Sequence, residues 1–181
     1  MTGATQLAVR AATPADAAAC ADVYGPSVLT TAASFESEPP TVAEMAGRIA
    51  AAQEHHAWLV AEVSGELAGY AYATAWKSRA AYRWTCETSV YVAAAGQGRG
   101  TGRALYTALL ARLEQRGFRT VVAGMTLPNP ASAALHAALG FRQVGLLQAV
   151  GFKHGRWHDV ALLERSLGDD PYAGPPPADR P

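Results

Sequence analysis

A glycine-rich turn between a strand-like segment and an amphipathic segment constrains this chain more than any other feature. The turn spans residues 97–102, reads QGRGTG and follows the strand-like residues 88–92. After it, Leu105, Leu109 and Leu113 recur every four positions, which predicts one face of a helix. Backbone N–H groups at such a turn and the positive end of a helix dipole together form a site for phosphate oxygens. The spacing fits neither GxxxxGK[ST] nor GxGxxG, so two better-known phosphate loops are excluded.

Hydrophobic periodicity and turn signals predict alternating helices and strands elsewhere. An N-cap at Thr13 opens a helix of about ten residues that ends near Gly25-Pro26, and a capping box at residues 41–44 opens a second helix. Further helices are predicted from the glycine-rich turn to Gly117 and from Asn129 to Gly140. Strands are predicted at residues 7–10, 58–63, 67–76, 82–92, 120–125, 143–152 and 157–167. This order predicts an α/β layer fold of the α+β type, with a mixed, mostly antiparallel central sheet flanked by helices.

Composition bounds the domain count and the classes of partner. The 181 residues suffice for one domain, expected at 1–167, and the proline-rich residues 168–181 are expected to form a mobile tail. Fifteen basic and fifteen acidic side chains give no net charge, which argues against a nucleic-acid partner. No apolar run approaches a membrane span, and neither Cys20 nor Cys86 has a neighbour at zinc-ligand spacing. We expect a cytoplasmic protein without metal, membrane or nucleic-acid partners.

Several motifs together resemble the GCN5-related N-acetyltransferase (GNAT) superfamily. The QxxGxG turn between strand and helix is followed by Asn129 and then by LHAALGF at residues 135–141. Within the superfamily, four segments resemble the phosphinothricin and methionine sulfoximine acetyltransferases, namely residues 35–41, 87–92, 127–136 and 151–160. The resemblance implies the GNAT fold with splayed central strands, acetyl-CoA as acetyl donor and direct transfer in a ternary complex. It also implies a small amino acid or analogue as the substrate, acetylated on its α-amine, and a homodimer.

Three residues are predicted to carry the chemistry: Glu87, His136 and Tyr91. An amine attacks a thioester only as the free base, so the site needs a proton acceptor. Glu87 lies in an otherwise apolar strand segment, where an acid is costly unless it is paired, hydrated or used, and the family position favours use as the base. His136 stands where many superfamily members carry a tyrosine. Protonating coenzyme A, helping to remove the amine proton, orienting the acetyl group and simple packing all stay open for it. Tyr91 shares a strand face with Glu87, whereas Cys86 points the other way, into the core.

The resemblance and the turn also predict binding residues. Val90 and Val92 are expected to offer backbone groups to the pantetheine arm, while Arg99 and Arg103 fit solvated surface positions equally well. The predicted cofactor-binding residues are Val90, Val92, Gln97, Gly98, Arg99, Gly100, Thr101, Gly102, Arg103, Asn129 and Ser132. A substrate carboxylate or phosphinate favours fixed cations, and a methylene chain favours an apolar wall. The predicted substrate-binding residues are Phe35, Glu36, Lys77, Arg79 and Tyr82.

Two other functions fit the same motifs. An enzyme of this fold that modifies a protein N-terminus or a lysine needs an open acidic groove, for which the sequence gives no positive support. A non-catalytic acyl-CoA-binding module would keep QxxGxG but would tolerate replacement of Glu87 or His136. The histidines and the aspartate within residues 154–159 are not interpreted as metal ligands, because that segment includes a turn rather than a helix.

Overall fold

Seven strands and four α-helices follow one another in a computed structural model that describes residues 7–168, 170 and 172. The strands are β1 (Leu7–Ala11), β2 (Ala57–Val63), β3 (Glu66–Ala75), β4 (Thr85–Val92), β5 (Thr120–Thr126), β6 (Arg142–Lys153) and β7 (Arg156–Ser166). The helices are α1 (Ala17–Leu29), α2 (Val42–His55), α3 (Thr101–Gln115) and α4 (Pro130–Ala138). The tail predicted at 168–181 lies mostly outside the described residues, so its mobility stays a prediction.

All seven strands form one sheet in the order β1-β2-β3-β4-β5-β7-β6. Only the β4–β5 pair is parallel, and the other five pairs are antiparallel. Two-residue turns join β2 to β3 and β6 to β7. At Ser64 and Gly65 φ is +55° and +86°, the pair of positive angles that a tight hairpin with the twist of the sheet requires. The mixed, mostly antiparallel sheet predicted from the sequence is confirmed.

The parallel pair at the centre of the sheet comes apart along its length. β4 pairs with β5 only where Thr85–Glu87 face Thr120–Val122. On its other edge β4 stays paired with β3 as far as Val92. The two central strands therefore diverge beyond Glu87 and Val122, which is the splay expected from the resemblance.

Hydrophobic cores cover both faces of the sheet. On one face α3 buries Leu105, Leu109 and Leu113 completely, as their four-residue spacing predicts. On the other face α1 and α2 pack against the aromatic residues Trp58 and Tyr70. Among the described residues, no helix combines the length and the apolar character that crossing a membrane takes.

Two element boundaries predicted from the sequence are wrong. The first helix does not end near Gly25-Pro26 but continues to Leu29. A proline disfavours helical backbone in the preceding residue partly because the proline ring contacts the Cβ of that residue, and Gly25 has no Cβ. The strand predicted from residue 82 begins at Thr85, because residues 80–82 form a 3-10 turn in which the amide of Arg83 donates to the carbonyl of Ala80.

Candidate active site

The divergence of β4 and β5 opens a cavity of about 620 Å³, bordered by the N-terminal ends of α3 and α4. Its walls hold most of the residues predicted to bind a cofactor. Those that line it are Val90, Val92, Gln97, Gly98, Gly100, Thr101, Gly102, Arg103, Asn129 and Ser132. Arg99 instead borders a separate depression, together with Leu7 of β1 and Val63 of β2. The structure thus brings ten of the eleven predicted positions to one cavity.

The turn before α3 allows an anion to approach the backbone closely. Gly98 and Gly100 have φ of +70° and +81°, and a Cβ on either would point into open space. Gly100 is the N-cap of α3, so no side chain caps the first N–H groups of that helix. Thr101 is 1% exposed, and its Oγ1 has no hydrogen-bond partner within the part of the chain that the structure describes. A buried hydroxyl without a partner costs about 1–3 kcal/mol, which a bound acceptor such as a phosphate oxygen would recover.

α4 places His136 on the opposite wall. The Asn129 side chain accepts from the amide of Ser132 at 3.1 Å and so caps the helix, as predicted. His136 Nδ1 lies 2.8 Å from the carbonyl oxygen of Ser132, and Nε2 lies 3.0 Å from Tyr106 Oη. Burial lowers the pKa of His136, and the hydrogen bond to Ser132 only partly opposes this. The lowered pKa favours the neutral form of the imidazole.

Glu87 lies beside the cavity rather than on its wall. Its Oε1 is 3.7 Å from the place that a Cβ on Gly124 would take, and Gly124 lines the cavity. The carboxylate therefore reaches the cavity across the space that a larger residue at position 124 would fill. Burial raises the pKa of Glu87, while the nearby Lys77 ammonium lowers it. A carboxylate with a raised pKa in such a position is suited to accept a proton.

Tyr91 lines the cavity and links it to the loop between α1 and α2. Its ring packs edge-on against Tyr24 of α1, with centroids 4.8 Å apart. The Tyr24 hydroxyl donates to Glu36 Oε1 at 2.8 Å. Glu36 also accepts two hydrogen bonds from Arg48, at 2.7 and 3.0 Å, which hold the pKa of its carboxyl below the usual value. Glu36 is thus already engaged by side chains of α1 and α2.

Phe35 lies in the same loop and packs on the β6–β7 hairpin. Its ring occupies the space beside Gly151, where a Cβ would lie only 2.2 Å from Phe35 Cζ. Lys153 of β6 donates to the carbonyl oxygens of Val28 and Ser34, both at 2.6 Å, which holds the hairpin against the loop. Neither Phe35 nor Glu36 lines the large cavity.

The remaining predicted substrate residues gather elsewhere. Lys77, Arg79 and Tyr82 line a second cavity of about 240 Å³ at the end of β3. This cavity shares no lining residue with the large one, although the Lys77 ammonium lowers the pKa of Glu87.

Several residues that line the large cavity were not predicted from the sequence, and three of them bear on the chemistry. Gly124, Tyr106 and Thr88 all line the large cavity. The signal for Gly124 was available, because a glycine inside a strand often marks a close approach of another group. Tyr106 and Thr88 carry no such signal, since an aromatic residue on an amphipathic helix and a threonine in a strand are ordinary core residues.

Comparison with known proteins places the chain in a family. A family model described as an acetyltransferase (GNAT) domain matches residues 9–162. A phosphinothricin N-acetyltransferase of Streptomyces viridochromogenes is 46% identical over 159 residues, covering 88% of this chain and 87% of that protein. The L-methionine sulfoximine/L-methionine sulfone acetyltransferase of Salmonella typhimurium is 36% identical, covering 93% and 98%.

A solved structure gives the same result for the fold. The phosphinothricin acetyltransferase of Sinorhizobium meliloti, in complex with acetyl-CoA, superposes with a TM-score of 0.91 at 40% identity, covering 95% of this chain and 94% of that one. The chain therefore belongs to the GNAT family of N-acetyltransferases, within the group of phosphinothricin and methionine sulfoximine acetyltransferases.

Proposed function

We propose that this enzyme transfers the acetyl group of acetyl-CoA to the α-amine of a small amino acid or analogue of the phosphinothricin, methionine sulfoximine or methionine sulfone type. One observation carries the proposal. A single cavity runs from the glycine turn before α3 to Gly124, and the carboxylate of Glu87 lies directly behind Gly124. The names of the relatives supply the substrate class.

The residues present fit acetyl-CoA. The open turn at Gly98 and Gly100, the uncapped start of α3 and the unpartnered Thr101 hydroxyl suit a diphosphate. Val90 and Val92 lie on the strand that diverges from β5, where backbone groups can pair with the amides of a pantetheine arm. Bound in this way, acetyl-CoA would supply an activated acetyl thioester.

Glu87 acts as the general base in this proposal, directly or through one water molecule. The bound α-amine arrives mostly as ammonium and must lose a proton before it attacks the thioester carbonyl. The raised pKa of Glu87 brings the carboxylate closer to the range where it takes that proton at neutral pH. The amine then attacks the thioester carbonyl directly, the C–S bond breaks and coenzyme A leaves as its thiolate, so no covalent enzyme intermediate forms. Cys86, on the opposite face of β4, is fully buried and takes no part.

Six further side chains are proposed to contact the substrate, namely Tyr91, Phe35, Glu36, Lys77, Arg79 and Tyr82. In this proposal Tyr91 lies beside the amine, Phe35 contacts the methylene chain and the cations near Arg79 attract the carboxylate.

A homodimer in the cytoplasm also belongs to the proposal. Exposed apolar side chains on the β6–β7 hairpin support the dimer, because a monomer rarely leaves such a patch in water. They are Val144, Leu146, Leu147, Val150, Phe152 and Trp157.

A thiol-release assay with acetyl-CoA tests the function. The acceptor panel contains glutamate, methionine sulfoximine, methionine sulfone, phosphinothricin and several peptides, including one with an internal lysine. We expect thiol release with at least one of the amino-acid analogues and none with the peptides. Reaction of a peptide alone would show the substrate class to be wrong. Binding of acetyl-CoA without release on any acceptor would favour an acyl-CoA-binding module.

A further inference from the structure

A chain of buried hydrogen bonds joins His136 to the point where β4 and β5 diverge. Tyr106 Oη lies 3.0 Å from His136 Nε2 and 3.2 Å from Thr88 Oγ1. Thr88 Oγ1 also lies 3.2 Å from the carbonyl oxygen of Val122, the last residue of β5 that pairs with β4, so its one hydrogen is donated either to that oxygen or to Tyr106 Oη, and the chain to His136 uses the second arrangement. Tyr106, Thr88 and His136 are 0%, 2% and 4% exposed. The three side chains are therefore largely shielded from solvent, although each also borders the large cavity.

Two neighbours of Nδ1 bear on where the imidazole proton is. The carbonyl oxygen of Ser132, at 2.8 Å, can only accept, whereas Ser132 Oγ, at 3.2 Å, can donate to a bare Nδ1. The shorter contact is the one to the carbonyl oxygen, and it favours a hydrogen on Nδ1. In the neutral ring Nε2 is then bare and accepts from the Tyr106 hydroxyl. Both ring nitrogens are occupied before any substrate arrives.

This arrangement separates the roles that the sequence leaves open for His136. A base needs a free lone pair on the ring, but Tyr106 occupies the lone pair of Nε2. An acid needs a free proton, but the proton on Nδ1 is directed to Ser132. Orientation of the acetyl group needs neither, only a ring held in a fixed position on the cavity wall. The rings of Tyr106 and Phe141 fix that position further, with edge-on contacts at centroid distances of 5.1 and 4.9 Å.

We propose that Tyr106 is a positioning residue of the acetyltransferase: its hydroxyl, anchored through Thr88, holds His136 in the Nδ1–H tautomer and in one orientation against the acetyl donor. The inference rests on the proposed function for its link to turnover, since a misplaced wall misaligns the thioester. The tautomer itself does not depend on any substrate.

The test uses the full chain with ¹⁵N-labelled histidine. Long-range ¹H–¹⁵N spectra identify which ring nitrogen of His136 is protonated, and His136→Asn assigns the signals. We expect a protonated Nδ1 and a bare Nε2 in the wild type. In Tyr106→Phe, which keeps the ring and removes the hydroxyl, we expect the two nitrogen shifts to move towards averaged values. We also expect kcat to fall at least tenfold, with KM for acetyl-CoA unchanged within twofold.

Tyr70→Phe is the matched control. Tyr70 is equally buried, at 1% exposed, but packs in the other core. It should leave the His136 signals and kcat unchanged. If Tyr106→Phe does not fold, Thr88→Val tests the same chain from its other end, with an expected loss in kcat of about threefold.

Three results would overturn the inference. They are a protonated Nε2 in the wild type, unchanged His136 signals and kcat in Tyr106→Phe, and, if only Thr88→Val folds, unchanged signals and kcat in that variant. A wild type with the expected tautomer that acetylates no amino acid would instead refute the proposed function and leave the tautomer assignment standing.

Discussion

Replacing Gly151 by alanine should disturb the loop that carries Phe35. The new Cβ would lie 2.2, 2.3 and 2.8 Å from three ring atoms of Phe35, whereas carbon atoms in contact need about 3.5 Å. The ring must therefore move by more than about 1 Å. Overpacking of this kind costs about 1–3 kcal/mol. Because Phe35 is already 43% exposed, its ring can turn outwards, which places the expected loss near 1 kcal/mol.

A double-mutant cycle in urea measures this effect. Gly151→Ala should lower the free energy of unfolding by about 1 kcal/mol in the wild type and by almost nothing in a Phe35→Ala background. Gly145→Ala is the matched control, since its Cβ would meet only Leu162, at ordinary distances of 3.5–3.9 Å. If Phe35 contacts the bound substrate, Gly151→Ala should also raise KM for the amino acid, while the affinity for acetyl-CoA stays constant. An equal loss of stability in both backgrounds would refute the reasoning.

Three further variants test the site and the fold. Glu87→Gln should lower kcat/KM by about 10²–10⁴, the usual effect of removing a general base. In the wild type, kcat/KM should rise with pH above the ordinary carboxylate range, because the pKa of Glu87 is raised, and pH–rate profiles should show no such rise in the variant. Gly124→Ala should raise KM for the amino acid about tenfold without loss of stability, because its methyl group fits 3.7 Å from Glu87 Oε1 and fills the path to the carboxylate. Steady-state kinetics measure KM for this variant and for the control Gly145→Ala, and equal KM values for the two would contradict the prediction. Hydrogen bonds from Arg10 lower the pKa of Asp16 from 3.8 to about 2, so Asp16 stabilises the fold above about pH 4 and this contribution is lost as the pH falls towards 2. At about 1.4 kcal/mol per pKa unit, the upper limit of this contribution to the free energy of unfolding is ~2.5 kcal/mol, and solvent around the 42%-exposed Arg10 reduces it to about 1 kcal/mol. In urea unfolding, Asp16→Asn should be less stable than the wild type by this amount at pH 7, and the two free energies should converge near pH 2.

Local signals explain how much of the fold the sequence predicts. The capping box at Thr41, the Asn129 cap and the hairpin at Ser64 and Gly65 all act within a few residues, so short-range chemistry is sufficient for them. The end of α1 was missed because the outcome at Pro26 depends on the residue before it. The usual contact with a Cβ is absent at Gly25, and the helix continues.

The same distinction between local sequence signals and contacts made over long distances in the chain applies to the residues of the site. The turn at residues 97–102 and the segment from Asn129 to His136 are two separate motifs that the family resemblance assigns to one cofactor, and the structure brings them to one cavity. Tyr106 was missed because its role depends on distances to Thr88 and His136, 18 and 30 positions away in the chain. Lys77, Arg79 and Tyr82 were predicted as a group and do lie together, but at a separate cavity. Which cavity a cluster faces is decided by the path of β3 and β4, and no local pattern encodes that path.

A crystal structure with acetyl-CoA tests the central claim most directly. We expect the diphosphate at the turn of residues 97–102, within hydrogen-bond distance of the backbone N–H groups there and of Thr101 Oγ1. The acetyl group should lie between His136 and Gly124, on the side of Glu87. A diphosphate bound away from that turn, or an acetyl group outside the cavity between β4 and β5, would contradict the account.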